Sequence, residues 1–332
     1  MASGLTRFRA WSDPLVVIEL GVQTWSTDAV AVERYWRAAD EQGFARITYG
    51  DGPWHFTHDG WTMLGALAAV TRRARIGPAV TYAFDPAVHH PAWLAKRAVT
   101  VDHLSGGRLD LRLGVGAGDA GTASAWGRLG VRYPAARQRV SALDEALGIV
   151  RALWRGETVD TDGPRFRLRG ARVVPSPLQQ PGPPVWIAAM RPRALALTAR
   201  RADGWEASYV TPAGFAALSA RLDALLEAGG RRGNEIRRSV EIDVILVGSA
   251  RERDVWTRRF CAERRVDAGH ALLDTALIGD AGEVAARVVE YAAAGATDLM
   301  LGFADFPATG MLERFARDVL PCVERGSAAA RG

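Results

Sequence analysis

Short apolar runs alternate with amphipathic helical stretches along almost the whole chain, and that alternation limits the fold more than any other feature. Leu15–Val22 reads as a first strand and Arg46–Tyr49 as a second. The helix between them, Ala31–Gln42, carries Val32, Tyr35, Trp36 and Ala39 on one stripe and stops at Gly43. Strand patterns return at Arg75–Phe84 (interrupted by Gly77-Pro78), Arg108–Val115, Val185–Ala189, Gly204–Tyr209, Val240–Val247 and Asp298–Phe303. Helical patterns fill the gaps at Leu64–Val70, Pro91 to His103, Ala136–Trp154, Pro192–Arg201, after Thr211-Pro212, Arg251–Arg265 and Val284–Ala294, and Leu312–Leu320 closes the series. Repeated strand–helix units call for a parallel sheet covered by helices. Eight of them predict a (β/α)8 TIM barrel in the α/β class. Such a barrel takes about 250 residues, and the chain has 332. The surplus falls into two insertions, 156–184, rich in Gly and Pro and patterned for a hairpin, and 258–276. Residues 1–14 read as an N-terminal extension, 15–322 as one barrel domain and 323–332 as a tail.

Composition removes several function classes. The chain is 48% apolar and 24% charged, as soluble globular proteins are. No apolar run approaches the ~20 residues of a membrane span, and Met1–Ser12 lacks the apolar centre of a signal peptide. The two cysteines, Cys261 and Cys322, lie far apart and outside any Cys-x-x-Cys, which suits a reducing cytoplasm. The net charge of +5 comes from 42 basic and 37 acidic residues, with Lys96 the single lysine. The arginine pairs sit among acids rather than in a patch interleaved with aromatic rings, so solvated faces explain them better than nucleic acid does.

Chemistry concentrates where strands end, because a barrel works at the C-terminal mouth of its strands. Asp51 follows the second strand and Asp119 the fourth; each is a candidate proton carrier or a loop cap. His55 and His58 lie in the loop after the second strand, whereas His89 and His90, against Pro91, read as capping or packing residues. No histidine has a metal-ligand spacing, so no metal is expected. Trp25, Trp54, Trp61 and Trp126 lie in or near strand-end loops and could wall a pocket for a flat ring, or could be core. Ala189-Met190-Arg191-Pro192-Arg193 runs from a strand into a helix start, where free N–H groups and arginines form an anion site. Gly116-Ala117-Gly118-Asp119-Ala120-Gly121 matches G-x-G-x-x-G, but no apolar helix pattern begins at Gly121, so it reads as a Gly-rich barrel loop rather than a dinucleotide fingerprint.

Leu104-Ser105-Gly106-Gly107-Arg108 followed by Leu113-Gly114-Val115-Gly116-Ala117-Gly118 resembles the bacterial luciferase-like superfamily of barrel oxidoreductases. Ala39–Asp51, Ile76–Thr81, Pro183–Trp205 and Ile278–Gly295 agree with it in order, so the resemblance spans roughly residues 15 to 322. It implies a TIM barrel that binds coenzyme F420 (alternatively FMN) at the strand C-termini. The third-strand motif is similar to the deazaflavin branch, in which a non-proline cis peptide forms a bulge behind the ring; here that bond is Ala79-Val80, with Thr81 following. By the same resemblance Asp51 matches a cofactor-contacting acid, Asp119 a carboxylic general acid, Gly116 the glycine-rich loop, and Ala189, Met190, Arg191 and Arg193 the phosphate-binding turn. The chain departs from the family where Asp51 is followed by Gly52 instead of a histidine; His55 is the candidate substitute. The phosphate turn carries Ala189-Met190 where the family usually has Gly or Ser, so sugar-phosphate specificity is not carried over. The resemblance implies hydride transfer to or from a small organic substrate, with Asp119 or His55 handling the proton. The alternative is a two-component monooxygenase using FMNH2 and O2. A homodimer and a separate flavin or F420 reductase are the partners it implies.

Overall fold

The computed structural model describes residues 18–323. The extension 1–14 and the tail beyond 323 lie outside the described residues, as do the first three positions of the Leu15–Val22 strand. The strands are β1 (Glu19–Thr24), β2 (Arg46–Tyr49), β3 (Arg75–Pro78), β4 (Thr81–Tyr82), β5 (Leu111–Gly114), β6 (Val159–Asp162), β7 (Arg167–Ala171), β8 (Val185–Ala188), β9 (Gly204–Ser208), β10 (Arg237–Leu246), β11 (Leu277–Gly279) and β12 (Asp298–Phe303). The helices are α1 (Ala29–Glu41), α2 (Gly60–Val70), α3 (Pro86–His89), α4 (Pro91–Ser105), α5 (Ala120–Arg128), α6 (Ala136–Trp154), α7 (Pro192–Arg201), α8 (Pro212–Ala228), α9 (Ala250–Arg264), α10 (Leu272–Thr275), α11 (Ala281–Ala293) and α12 (Gly310–Arg314).

β1 pairs in parallel with β2 on one side and β12 on the other, and the path β3-β2-β1-β12-β10-β9-β8-β5-β4 returns on itself. β3 and β4 together act as the third stave: Ile76 bridges Leu109, and Thr81 and Tyr82 pair with Leu113 and Gly114. The predicted TIM barrel is therefore the fold. The third stave is broken at the cis peptide Ala79–Val80, one step beyond the Gly77-Pro78 read from the sequence. The Gly- and Pro-rich excursion carries the expected antiparallel hairpin, β6–β7. Helices α1, α4, α6 and α11 wrap the barrel with the apolar stripes that the spacing predicts; Val32, Tyr35, Trp36 and Ala39 of α1 are all buried.

One reading needs correction. A helix, α5, does begin beside Gly121: Asp119 caps it, its side chain accepting the Thr122 N–H at 2.8 Å. Its sequence carried no apolar stripe because only Thr122, Ala125 and Trp126 turn inward.

The barrel interior is polar. Alternation in β10 sends Val240, Ile242 and Val244 outward to the helices and leaves Ser239, Glu241 and Asp243 inside, beside Met300 and Gly302 of β12. At the N-terminal end Arg46 meets Glu19, Asp110 and Asp298, while Arg237 meets Asp298 at 2.7 Å and Glu19 at 2.8 Å. Burial works to raise the Asp110 pKa; Arg75 and Arg46 beside it overcome that and hold it below the usual carboxylate range. One layer higher, Arg112 pairs with Glu206 and lies over the Trp186 ring at 4.7 Å.

Candidate active site

The C-terminal mouth collects most of the residues singled out by sequence, but it gives several of them new roles. Asp51 leaves β2 and is only 6% exposed. Its Oδ2 accepts from Thr81 Oγ1, which in turn accepts from Trp61 Nε1 at 3.1 Å. A Cβ at Gly60, the first residue of α2, would fall 2.7 Å from Asp51 Oδ1, so the carboxylate is packed against that helix start. The cis bond at Ala79–Val80 stands as the resemblance implied. It turns Val80 against β5, where a Cβ on Gly114 would meet Val80 Cγ2 at 2.5 Å.

Asp119 is exposed. Both of its oxygens serve α5, one on the Thr122 N–H and the other on Thr122 Oγ1. Those bonds hold its carboxyl below the usual range. His55 is exposed as well, its ring edge-on to Phe56, and His58 Nε2 sits 2.9 Å from the Thr27 carbonyl. His90 caps α4, as read. His89 does not merely pack: its Nε2 lies 3.3 Å from Asp51 Oδ2. Sequence distance hid that contact.

The tryptophans divide. Trp25, half-buried, lies within 6.0 Å of the Arg264 guanidinium, and Trp54 stacks on Phe56 over Gly52. Trp126 is buried among Phe84, Tyr82 and Ala142, so it backs Tyr82 rather than walling open space. Gly116 has φ +75°, and a Cβ there would strike the Tyr133 hydroxyl, so the glycine is required. Arg139, which the sequence did not single out, holds this loop. Its guanidinium donates to the carbonyls of Val115 (2.6 Å), Gly116 (3.2 Å), Ala117 (3.0 Å) and Pro134 (2.5 Å), and it lies 4.0 Å from the Tyr133 ring centre.

Two further groups face the mouth. Tyr209, at φ 51°, donates its hydroxyl to Glu241 at 2.9 Å, and Ser208 donates to the other carboxylate oxygen at 2.9 Å. Burial, with Asp243 nearby, pushes the Glu241 carboxyl above its ordinary range despite those bonds. Burial pushes Asp243 up to about 6, against the pull of Arg264. The period-2 alternation of β10 was the available signal, since it put two acids on one face of an apolar strand.

After β8, Ala189 is buried and its carbonyl accepts from Trp205 Nε1 at 2.7 Å. Met190, Arg191 and Arg193 are exposed, and no side chain caps α7, so its open N–H groups and two guanidinium groups face solvent together. A cavity of about 550 Å³ lies at the opposite, N-terminal end, between Trp154, Trp186 and the Arg46–Asp110 network. That end of a barrel serves stability, and its charges are already paired. Among the described residues no group of three His, Cys, Asp or Glu side chains could hold a metal ion, and no helix is long and apolar enough to cross a membrane.

The fold and its mouth place the chain among the luciferase-like barrel oxidoreductases. It belongs to the luciferase-like monooxygenase family, whose model matches residues 16–298. It is 31% identical over 241 residues to an F420-dependent glucose-6-phosphate dehydrogenase of Nakamurella multipartita, covering 68% of this chain and 66% of that one. Another curated relative is matched over 44% of its length, so the chain spans two thirds or less of these relatives. Among solved structures, an F420-dependent secondary alcohol dehydrogenase holding an F420-acetone adduct superposes with TM-score 0.77 at 17% identity, over 92% of this chain and 99% of that one. The monooxygenase RslO1 of Streptomyces bottropensis superposes with TM-score 0.76 at 22% identity, over 92% and 99%. At those identities the two structures speak for the fold.

Proposed function

We propose that the protein is a coenzyme F420-dependent oxidoreductase acting on a small organic substrate. The observation that carries this reading is the turn Ala189–Arg193. An uncapped helix start with two exposed arginines suits the phosphate of a redox coenzyme lying over the barrel mouth. The 31% relative, named for F420 dependence, supports F420 over FMN.

In this reading Arg191, Arg193 and the α7 N–H groups hold the phosphate. Val80 and Thr81 back the ring, with Gly116 leaving room beside it. When bound, the deazaflavin supplies or accepts a hydride at a substrate carbon. The protein fixes the two reactants face to face, which turns an encounter into a nearly intramolecular step. The companion proton falls to the Tyr209–Glu241 pair, half-buried and already hydrogen-bonded. A homodimer, a cytoplasmic location and a separate F420 reductase belong to the same proposal.

Titrating apoprotein with F420 and with FMN separately tests it. F420 should bind and FMN should bind weakly. Oxidised F420 should bleach on accepting a hydride from substrate, or reduced F420 regain its visible absorbance on giving one up, without oxygen uptake, and oxygen consumption with FMNH2 would favour the monooxygenase reading instead. Arg191→Ala should weaken F420 binding by about 1.5–3 kcal/mol, as loss of a charge-assisted bond does; an unchanged titration removes that turn from the site. Glu241→Gln should cut turnover at least tenfold, while Asp119→Asn, which can still cap α5, should stay within about twofold. The reverse order in steady-state assays would return the proton to Asp119.

A further inference from the structure

Asp51 is fixed by side chains drawn from four elements. Thr81 of β4 donates to its Oδ2, and Trp61 of α2 donates to Thr81. His89, at the end of α3, brings Nε2 to 3.3 Å from the same oxygen. Behind the imidazole, Arg97 of α4 places Nη1 3.0 Å from His89 Nδ1. A guanidinium donates and never accepts. His89 Nδ1 must therefore offer its lone pair, and the ring's one proton sits on Nε2, facing the carboxylate. Water does not compete: His89 is 7% exposed, Asp51 6% and Thr81 fully buried. The charged groups around the imidazole are Asp51, Arg97 and Asp59, the last capping α2 and sensing both Arg97 and His89.

We propose that His89, held by Arg97 as the Nε2–H tautomer, is a positioning residue that keeps Asp51 immobile beside the Ala79–Val80 bulge and so sets how tightly the mouth holds its coenzyme. The local chain of donors is complete. Arg97 acts on His89; His89 and Thr81 act on one oxygen of Asp51; the other oxygen packs against Gly60, where any side chain would collide with it. An imidazole absent from the residue after Asp51 is thus delivered from the segment after β4. Reversing the ring would set two donors, Arg97 and Nδ1–H, against each other and turn a bare nitrogen toward the carboxylate. Protonating it would set a second cation against Arg97 in a buried site. Both changes are opposed by the same contact. The tautomer follows from the protein alone; the effect on binding rests on the coenzyme reading given above.

Two measurements separate those halves. In 15N-labelled wild-type protein, long-range proton–nitrogen spectra at pH 7, assigned with His89→Gln, should show a bare Nδ1 and a protonated Nε2 on His89. An imidazolium or an Nδ1–H tautomer at pH 7 overturns the proposal whatever the variants do. For the second half, apoprotein is titrated with F420 by fluorescence. His89→Gln and Arg97→Met should each raise Kd at least tenfold, and Arg97→Lys, which restores a donor, should recover most of that loss. The double variant His89→Gln/Arg97→Met should lose no more affinity than either single variant, since both act through one contact. Circular dichroism and melting of each variant identify a folding failure, and the wild-type spectrum decides the tautomer regardless. If wild type binds no F420, the coenzyme reading falls and takes the affinity half with it. If wild type binds F420 and both variants match it within twofold, the positioning role falls alone.

Discussion

Arg112→Met should lower the stability of the protein by about 3–5 kcal/mol, the cost of stranding one partner of a buried ion pair. Arg112 is 1% exposed and faces Glu206 across the barrel interior. Without the guanidinium, Glu206 keeps its hydrogen bond from Ser239 but loses its counter-charge in a site that burial already makes hostile to the anion. The folded protein then binds that proton more tightly than the unfolded chain does. Stability of the variant therefore falls as pH rises above the ordinary carboxylate range, and the deficit should be larger at pH 8 than at pH 5. The double variant Arg112→Met/Glu206→Leu removes both charges and should recover most of the loss. Urea midpoints at both pH values check this. An unchanged midpoint for the single variant would show that water or another cation reaches Glu206.

Arg139→Met should cost both stability and binding. The side chain is 4% exposed and donates to carbonyls on both sides of the loop that follows β5. Charged hydrogen bonds of this kind contribute about 1.5–3 kcal/mol each and do not add fully, so a loss of about 2–4 kcal/mol is expected. Gly116 and Tyr133 lose their support together, and coenzyme affinity should fall more than tenfold. Lysine at this position offers a single point of charge rather than a planar fork and should restore only part. Melting and coenzyme titration of the two variants read the effects separately; full affinity in a destabilised Arg139→Met would confine Arg139 to a structural role.

The fold was legible because its signal is local and periodic. Val32, Tyr35, Trp36 and Ala39 announce a helix whatever surrounds them, and Val240–Val247 announces a strand. The exposed turn from β8 into α7 was legible too, since strand end, proline and arginines are neighbours in sequence. What sequence could not give were contacts made only when the ring of strands closes. His89 lies far along the chain from Asp51, and Arg139 sits in the first turn of α6 among other arginines with nothing to mark it as the residue that turns inward. Asp119 was ambiguous for the opposite reason. A carboxylate after a strand and ahead of a helix satisfies a capping pattern as well as a catalytic one, and the capping contacts to Thr122 are the ones the structure shows. The charged interior went unread: the alternation of β10 sets Glu241 and Asp243 on one face, but nothing local marks Arg46 and Arg112 as residues that turn inward.

The third stave is held to its neighbour β5 by one isolated bridge and two paired residues, whereas β10 and β12 are joined through six. Regions with few backbone bonds open at lower free energy than the molecule as a whole. A thin seam of the cylinder thus runs along Ala79–Thr81, under the very wall against which a flat ring would rest. A guest pressed against that wall would act as a rivet, so occupancy of the mouth and cohesion of the entire hoop become one property.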